Sequence, residues 1–191
     1  MTNRIQRFLL LATAALLAAL TLAACGGDHA TTHGEGEGSY VTAGPLVYQV
    51  QMSRELNPSN VEDAELLEGL PADTPALAGD EEWFGVWLRA QNASDEPAES
   101  AEEFKIVDTT GTEYEPVELP ESNPLAYRPA VVEGKDGQPV LPDPESVAGA
   151  GPVQGTVLLF KLRTDVYSNR PIELEIEPPD GGEPSSIVLD L

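Results

Sequence analysis

The feature that most constrains the fold of this chain is an alternation of apolar and polar side chains with a period of two. It is clearest in residues 172–176, where aliphatic residues alternate with glutamates. Successive side chains of a β-strand point to opposite faces of a sheet, so this period predicts half-buried strands and not helices. Other segments share the pattern or form short apolar runs, namely residues 46–52, 83–90, 104–106, 114–119, 157–162 and 187–191.

Glycine and proline separate these seven segments, as turns separate strands. The pattern predicts an all-β fold, an antiparallel immunoglobulin-like β-sandwich of about seven strands. Two long connections interrupt it. Residues 55–80 include 61–67, where one or two helical turns are expected, and residues 123–155 are rich in proline and glycine and are expected to wrap the sandwich.

Residues 1–24 have the order typical of a secretory signal peptide. Arg4 and Arg7 form a basic start, an apolar run covers residues 8–22, and Ala23 and Ala24 follow. The run is shorter than the ~20 apolar residues that a spanning helix needs. We therefore expect residues 1–24 to direct export and then to be removed.

Cys25 is the single cysteine of the 191 residues and stands directly after this segment. The stretch Leu22-Ala23-Ala24-Cys25 resembles the bacterial lipobox. That resemblance implies cleavage before Cys25, acyl chains on its sulfur and a lipid anchor on the extracytoplasmic face of the cell membrane. Two or more chains make such an anchor stable. A plain secreted protein with a chance cysteine, or a transmembrane anchor, are the alternatives.

Residues 25–44 are rich in glycine, threonine and glutamate and show no apolar period. They are expected to form a flexible linker with a reach of about 24 Å, followed by one folded domain over residues 45–191. His29 and His33 lie in this linker at a spacing that suits a metal on a helix. The glycines disfavour a helix, so solvated side chains are the favoured interpretation over a metal site.

Charge limits the partners of this chain. The formal charge is −23, and removal of residues 1–24, which carry two arginines and no acid, makes it −25. Nucleic acid is excluded as a partner, since phosphate contacts require lysine or arginine. An anionic membrane surface should also repel the domain.

The sequence identifies no catalytic residue, metal site or cofactor. A Ser-His-Asp site needs a histidine, and both histidines fall in the predicted linker. No carboxylate stands out as a glycosidase acid, and no calcium-loop motif occurs among the acidic loops. We therefore expect a protein that is not an enzyme, with the acidic stripe of Glu173, Glu175 and Glu177 as a solvated sheet face.

Trp83 and Trp87 raise the question of a binding surface. They are four residues apart on one predicted strand, so they share a face, while Phe84, Val86 and Leu88 form the better core face. An outward tryptophan pair could bind a partner protein or a sugar. The alternative is that the leucine-bearing loop covers them, with Leu66, Leu67, Leu70 and Leu77 as the covering residues.

Three stretches resemble a family of actinobacterial surface lipoproteins with an immunoglobulin-like domain of unknown function, similar to the extracellular immunoprotective-antigen type of sandwich. They are FGVWLRAQNAS (84–94), FKIVDTTGTEYEPV (104–117) and QGTVLLFKL (154–162), together with the lipobox. The resemblance covers most of residues 45–177. It implies the sandwich fold and the anchor, and it brings no catalytic motif.

These observations lead to one functional expectation and two alternatives. The expectation is a membrane-anchored lipoprotein whose non-catalytic domain binds an extracytoplasmic protein or the cell wall. The first alternative is an accessory subunit of a membrane complex or transporter. The second is a small carboxylate-dependent hydrolase.

Overall fold

A computed structural model describes residues 31–191, which form one compact unit. Most strands lie in two sheets. Sheet one has the order β1 (His33–Gly34), β13 (Ser185–Leu189), β12 (Ile172–Ile176), β6 (Phe104–Val107) and β7 (Glu113–Tyr114). Sheet two has the order β2 (Tyr40–Ala43), β3 (Leu46–Leu56), β4 (Glu81–Asn92), β11 (Thr156–Arg163) and β8 (Pro116–Val117), with β10 (Val140–Leu141) also paired to β4.

The predicted antiparallel β-sandwich is confirmed. Each of the seven predicted segments forms a strand, although the segment 114–119 is split, because the chain leaves sheet one at β7 and enters sheet two at β8. The additional elements are β1, β2, β10 and a separate pair made by β5 (Ala98–Glu99) and β9 (Val131–Val132). All strand pairs are antiparallel except β1 with β13.

The main core lies between the two sheets and follows the period of two. Phe84, Val86 and Leu88 point into it from β4, as the sequence predicts, and Ile172, Leu174 and Ile176 point into it from β12. A second apolar cluster lies on the opposite face of sheet two. Sheet two is therefore covered on both faces, which explains why β4 is almost entirely buried.

The structure corrects the predicted linker over its last part. Residues 33–34 and 40–43 are strands, and Val41 and Ala43 are buried in the main core. The glycines serve close packing and turns here. A Cβ on Gly34 would lie 2.8 Å from the Cβ of Ser39, and Gly38 has a φ of +81°. The folded unit therefore starts before the predicted boundary at residue 45.

The long connections carry little helix. The first contains α1 (Val61–Leu66), which begins at Asn60, whose side chain accepts a hydrogen bond from the amide of Glu62. The second contains α2 (Val147–Ala150), and a 3-10 helix (Thr164–Ser168) follows β11. Among residues 31–191, no helix has the length and apolar character needed to cross a membrane.

Candidate binding groove

Trp83 and Trp87 lie beneath a loop and are not exposed. Their exposed fractions are 7% and 6%. They belong to the second apolar cluster with Leu66, and Leu67, Leu70 and Leu77 pack against that cluster, as the covering interpretation proposes. The exposed tryptophan pair that a partner-binding role requires is therefore absent from this conformation, because the loop buries both rings.

Trp87 packs closely on its own strand and is linked to the covering loop through Arg54. The ring of Trp87 lies so close above Gly85 that a Cβ there would meet ring carbons at 3.0 and 3.1 Å. The guanidinium carbon of Arg54 lies 5.3 Å from the centre of the same ring, and Arg54 also donates to the buried Asp63 of α1 at 2.5 Å. That hydrogen bond is the main reason why the pKa of Asp63 is lowered.

Cys25, the predicted lipidation site, lies outside the described residues, as do residues 1–24. His33 lies within the described residues 31–191, and its predicted position in the flexible linker is wrong. It is in β1, and its Nδ1 is 2.8 Å from the Oγ of Ser186 in β13. His33 therefore forms a contact between two strands and does not lie in a flexible linker.

The His33–Ser186 pair has the composition of a nucleophile beside a base, so its setting matters. The His33 side chain is 46% exposed, with carboxylate oxygens of Glu173 and Glu35 at 3.6 and 3.8 Å. Charge-stabilising groups are most effective in sites that exclude water. This open position on a sheet edge suits a strand-pairing contact better than a reaction centre.

Two polar residues of the resembling stretches, Asn92 and Asp108, stabilise turns of the fold. Asn92 is buried, and its side chain donates to the carbonyls of Glu96 and Val132 while it accepts from the amide of Ser94. It therefore ties the end of β4 to β9 and to the turn that follows.

Asp108 holds the hairpin between β6 and β7. Burial alone would raise its pKa, but hydrogen bonds from the hydroxyl and amide of Thr110, the amide of Thr112 and the side chain of Asn169 lower the pKa to about 2. Asn92 and Asp108 therefore stabilise turns in the resembling stretches through hydrogen bonds within the chain, and we assign neither of them to ligand binding.

Three segments carry closely spaced acidic residues that could offer oxygens to a cation, namely 80–82, 95–96 and 143–145, and some of these residues pair with basic side chains instead. Glu81 accepts from Lys161 at 2.9 Å, and Asp80 lies 3.9 Å from Arg163. Within residues 31–191, no group of three or more histidine, cysteine, aspartate or glutamate side chains is arranged to hold a metal ion.

The glutamate stripe on β12 lies in the middle of sheet one and is partly neutralised. Lys105 of β6 contacts Glu175 at 3.1 Å, Glu113 at 3.1 Å and Glu177 at 3.9 Å. Contacts to these carboxylates raise the pKa of Lys105, with Glu113 as the largest contributor. The stripe is therefore a cross-strand ion-pair ladder on a half-exposed face.

A different set of glutamates surrounds the open side of the sandwich, where the chain crosses from β7 to β8. Three concavities of about 380, 460 and 530 Å³ meet there, and all three are lined by Glu102. We call these three neighbouring concavities together the acidic groove. Its lining comes from residues 99–105, 113–121, 126–129, 157–159 and 177–181.

One end of the acidic groove is apolar. The 380 Å³ concavity is lined by side chains of both sheets and of the connection after β8, including Val117, Leu119, Ala126, Val157 and Leu159. The segment that contains Ala126 lies beside the edge of β11, because the amide of Val157 donates to Leu125 and the amide of Tyr127 donates to Val157. Edge pairing thus builds the apolar floor from distant parts of the chain.

The segment that carries Glu102 is held from both sides. The Ala101 amide donates to the hydroxyl of Tyr48 at 2.7 Å, and the hydroxyl of Tyr127 donates to the Ala101 carbonyl at 2.6 Å. Burial raises the pKa of Tyr48 to about 12 and also raises the pKa of Tyr127. Both hydroxyls therefore stay protonated and keep Glu102 at the junction of the concavities.

The acidic groove has a strong excess of negative charge. Eight glutamates line it, and Lys105 and Arg128 are its basic residues. The guanidinium of Arg128 donates to the backbone carbonyls of Tyr127, Leu119 and Pro120, so it serves the backbone. Six of the glutamates have no ion pair among residues 31–191, namely Glu99, Glu102, Glu103, Glu115, Glu118 and Glu121.

The sequence pattern alone does not predict the acidic groove. The glutamates of residues 113–121 recur in a run with proline and valine, which is a visible signal in the sequence. Their convergence with residues 99–103 and 177 depends on strand pairing that the pattern alone does not define.

Two solved structures resemble this fold. The yjhA protein from Bacillus subtilis gives a TM-score of 0.52 at 10% identity, over 82% of this chain and 99% of that chain. An uncharacterized β-sandwich protein from Clostridium difficile 630 gives a TM-score of 0.40 at 10% identity, over 81% and 93%. No protein-family profile matches this chain, and no curated protein matches its sequence. The first likeness is one of overall fold and says nothing about individual residues.

Proposed function

We propose that this protein is an extracytoplasmic lipoprotein, anchored through acyl chains on Cys25, whose β-sandwich is a non-catalytic binding domain for another extracytoplasmic protein. The anchor is supported by the order of residues 1–25 and by the lipobox-like stretch. The resemblance to actinobacterial surface lipoproteins supports the same role.

The acidic groove is the observation that carries the binding role. Ordinary structural glutamates lie on solvated faces or form ion pairs, as Glu175 does with Lys105. The groove differs because it places carboxylates without an ion pair around a concavity that is partly apolar. Binding sites are typically concave and mostly apolar, with a small number of polar groups that orient the ligand.

One further observation supports the accessory-subunit alternative, namely the small number of residues between Cys25 and the first strand. Because β1 begins at His33, seven residues separate the proposed anchor from the first strand. Seven residues span at most about 25 Å when fully extended. The domain would therefore stay close to the bilayer, within reach of the extracytoplasmic parts of a membrane protein.

Replacement of Cys25 by serine tests the anchor. The variant should appear in the culture medium or remain as an unprocessed precursor, since serine cannot receive the thioether-linked lipid. Wild-type protein should stay in the membrane fraction and show the mass increase of acylation. A variant that is trimmed at the same place and remains membrane-bound would contradict the proposal.

Cross-linking on intact cells, followed by mass spectrometry, tests the binding role. A reagent that joins carboxylates to amines should link groove glutamates to a neighbouring protein. Recovery of a membrane-complex subunit would select the accessory role over a soluble or cell-wall partner. Exclusive linkage within the chain itself would contradict a binding function.

A further inference from the structure

We propose that the acidic groove binds an extended segment of a partner protein that carries lysine or arginine beside an aliphatic side chain. This inference rests on the proposed binding function and names the chemistry of the partner.

The apolar end of the acidic groove is the reason why we propose an aliphatic side chain in the partner segment. Its volume of about 380 Å³ lies within the range of ligand pockets, and its accessible apolar lining comes from the half-buried Pro116 and Val117 and the exposed Pro129. The aromatic residues beside it, Phe104 and Tyr127, are 5% and 8% exposed and pack edge to face on each other. Little ring surface is therefore presented for stacking on a sugar, which favours an aliphatic side chain as the occupant.

The glutamates at the rim of the acidic groove are the reason why we propose lysine or arginine in the partner segment. Glu102, Glu118 and Glu121 line the same concavity as the apolar floor, and none of them has an ion pair among the described residues. Arg128 lines the same concavity and offsets one of these three negative charges, while its guanidinium donates to backbone carbonyls and forms no ion pair among the described residues. The concavity therefore keeps a negative charge, which a basic side chain of a partner would complement and which would also speed association.

The shape of the groove favours an extended segment. The three concavities share Glu102, and the second of them continues to Pro178 and Pro179 in the turn after β12. An extended chain advances ~3.3 Å per residue and directs alternate side chains to opposite sides. It can therefore place an aliphatic side chain on the floor while basic side chains meet carboxylates along the rim.

The test measures the binding of three short fluorescein-labelled peptides to the purified full-length chain in nonionic detergent, by fluorescence anisotropy. The peptides contain Lys-Leu-Lys-Leu, Glu-Leu-Glu-Leu or Lys-Ser-Lys-Ser between terminal glycines, and detergent without protein is the blank. We expect the Lys-Leu peptide to bind most tightly and to weaken as NaCl rises from 50 to 500 mM, because salt screens exposed charges.

A triple variant locates the binding. Glu102→Gln, Glu118→Gln and Glu121→Gln together should weaken the Lys-Leu peptide by about tenfold, since exposed ion pairs contribute about twofold to threefold each. All three side chains are exposed, so the variant should retain its fold, and an unchanged circular dichroism spectrum checks this.

A charge-matched control separates the groove from the general acidity of the chain. Glu35→Gln, Glu133→Gln and Glu145→Gln remove the same charge from exposed positions outside the groove. This variant should bind like wild type. Equal weakening by both triple variants, equal binding of the Glu-Leu or Lys-Ser peptide, or no binding of the Lys-Leu peptide would overturn the proposal.

The outcome is independent of the anchor. If peptide binding fails while the Cys25→Ser variant is released from cells and the wild-type chain still cross-links to a partner, the groove assignment is wrong and the proposed function stands. If peptide binding succeeds while the variant remains correctly trimmed and membrane-bound, the anchor is wrong and the groove assignment stands.

Discussion

At the scale of single residues, Glu82 is the least expected feature of the core. It points inward from the start of β4 and is 7% exposed, and its Oε1 has no hydrogen-bond partner. Burial raises the pKa of Glu82, a hydrogen bond from Tyr167 opposes this, and the negative charge of Glu55 adds to the rise. A buried carboxylate without full compensation costs stability when it is ionised.

Replacement of Glu82 by glutamine should therefore stabilise the protein at neutral pH, because a neutral amide costs less to bury than an ionised carboxylate. Because the folded state keeps its proton at a higher pH than the unfolded chain does, the stability of wild type falls as pH rises from about 4.3 through the raised pKa. The gain of the variant should be full above that pKa and should shrink as pH falls towards 4. Guanidinium denaturation between pH 4 and pH 8 measures it.

Glu133→Gln is the matched control for this prediction. Glu133 is exposed, so its loss should change stability by less than about 0.5 kcal/mol at any of these pH values. If Glu82→Gln were destabilising at pH 7, an ionised Glu82 would have to be compensated by groups that the structure does not place beside it.

At the scale of elements, the loop that follows β3 acts as a second layer on sheet two. Trp87 lies under it, against Gly85, and Arg54 connects the indole to Asp63 of α1. Asn123 joins the loop to the connection after β8, since its side chain donates to the carbonyl of Leu66. The cover and the apolar floor of the acidic groove thus belong to one packed layer.

Truncation of Trp87 to alanine should consequently destabilise the protein by about 3–5 kcal/mol, as for other buried large aromatic residues. Thermal and guanidinium unfolding measure the loss. Tyr40, an aromatic residue in β2 that is 61% exposed, provides the comparison, and Tyr40→Ala should cost much less. Unchanged stability of Trp87→Ala together with loss of partner binding would show that the ring is a surface contact and that the cover is open in solution.

The elements show where sequence patterns succeed. Alternation predicts β3, β4 and β12 because one set of alternate side chains in each strand enters the main core. The other set in β4 includes both tryptophans and is buried under the loop, as the leucines of that loop indicate. Alternation does not predict β1 and β2. Their glycines are required for the close approach to Ser39 and for the turn at Gly38, and composition alone cannot distinguish glycine that packs from glycine that frees the chain.

At the scale of the whole molecule, the acidic groove shows what sequence patterns leave undetermined. Its lining comes from residues that are up to 82 positions apart, and the pairing of β8 and the Ala126 segment with one edge of β11 brings part of it together. The sequence shows which residue types are present, but it does not show which segments pair with the edge of β11, because that pairing depends on the complete topology. The charge of the groove could therefore be read from the sequence, whereas its position could not.

The extent of the folded unit is a further property of the whole molecule, and truncation tests it. A chain that begins at residue 45 lacks Val41 and Ala43, which are 0% and 1% exposed, together with the four-residue pairing of β2 with β3. Burial of one valine side chain contributes about 1.5–3 kcal/mol, so the combined loss should exceed about 3 kcal/mol. The newly exposed edge of β3 should also promote association between chains.

A chain that begins at residue 31 is the control, because it keeps both strands and removes only residues that precede the compact unit. It should unfold at the same guanidinium concentration as the mature protein and elute as the same species in size-exclusion chromatography. The chain that begins at residue 45 should unfold earlier and elute partly as larger species. Equal midpoints for the two truncations would mean that β1 and β2 contribute nothing to the fold in solution, and the flexible linker would then extend to Gly44.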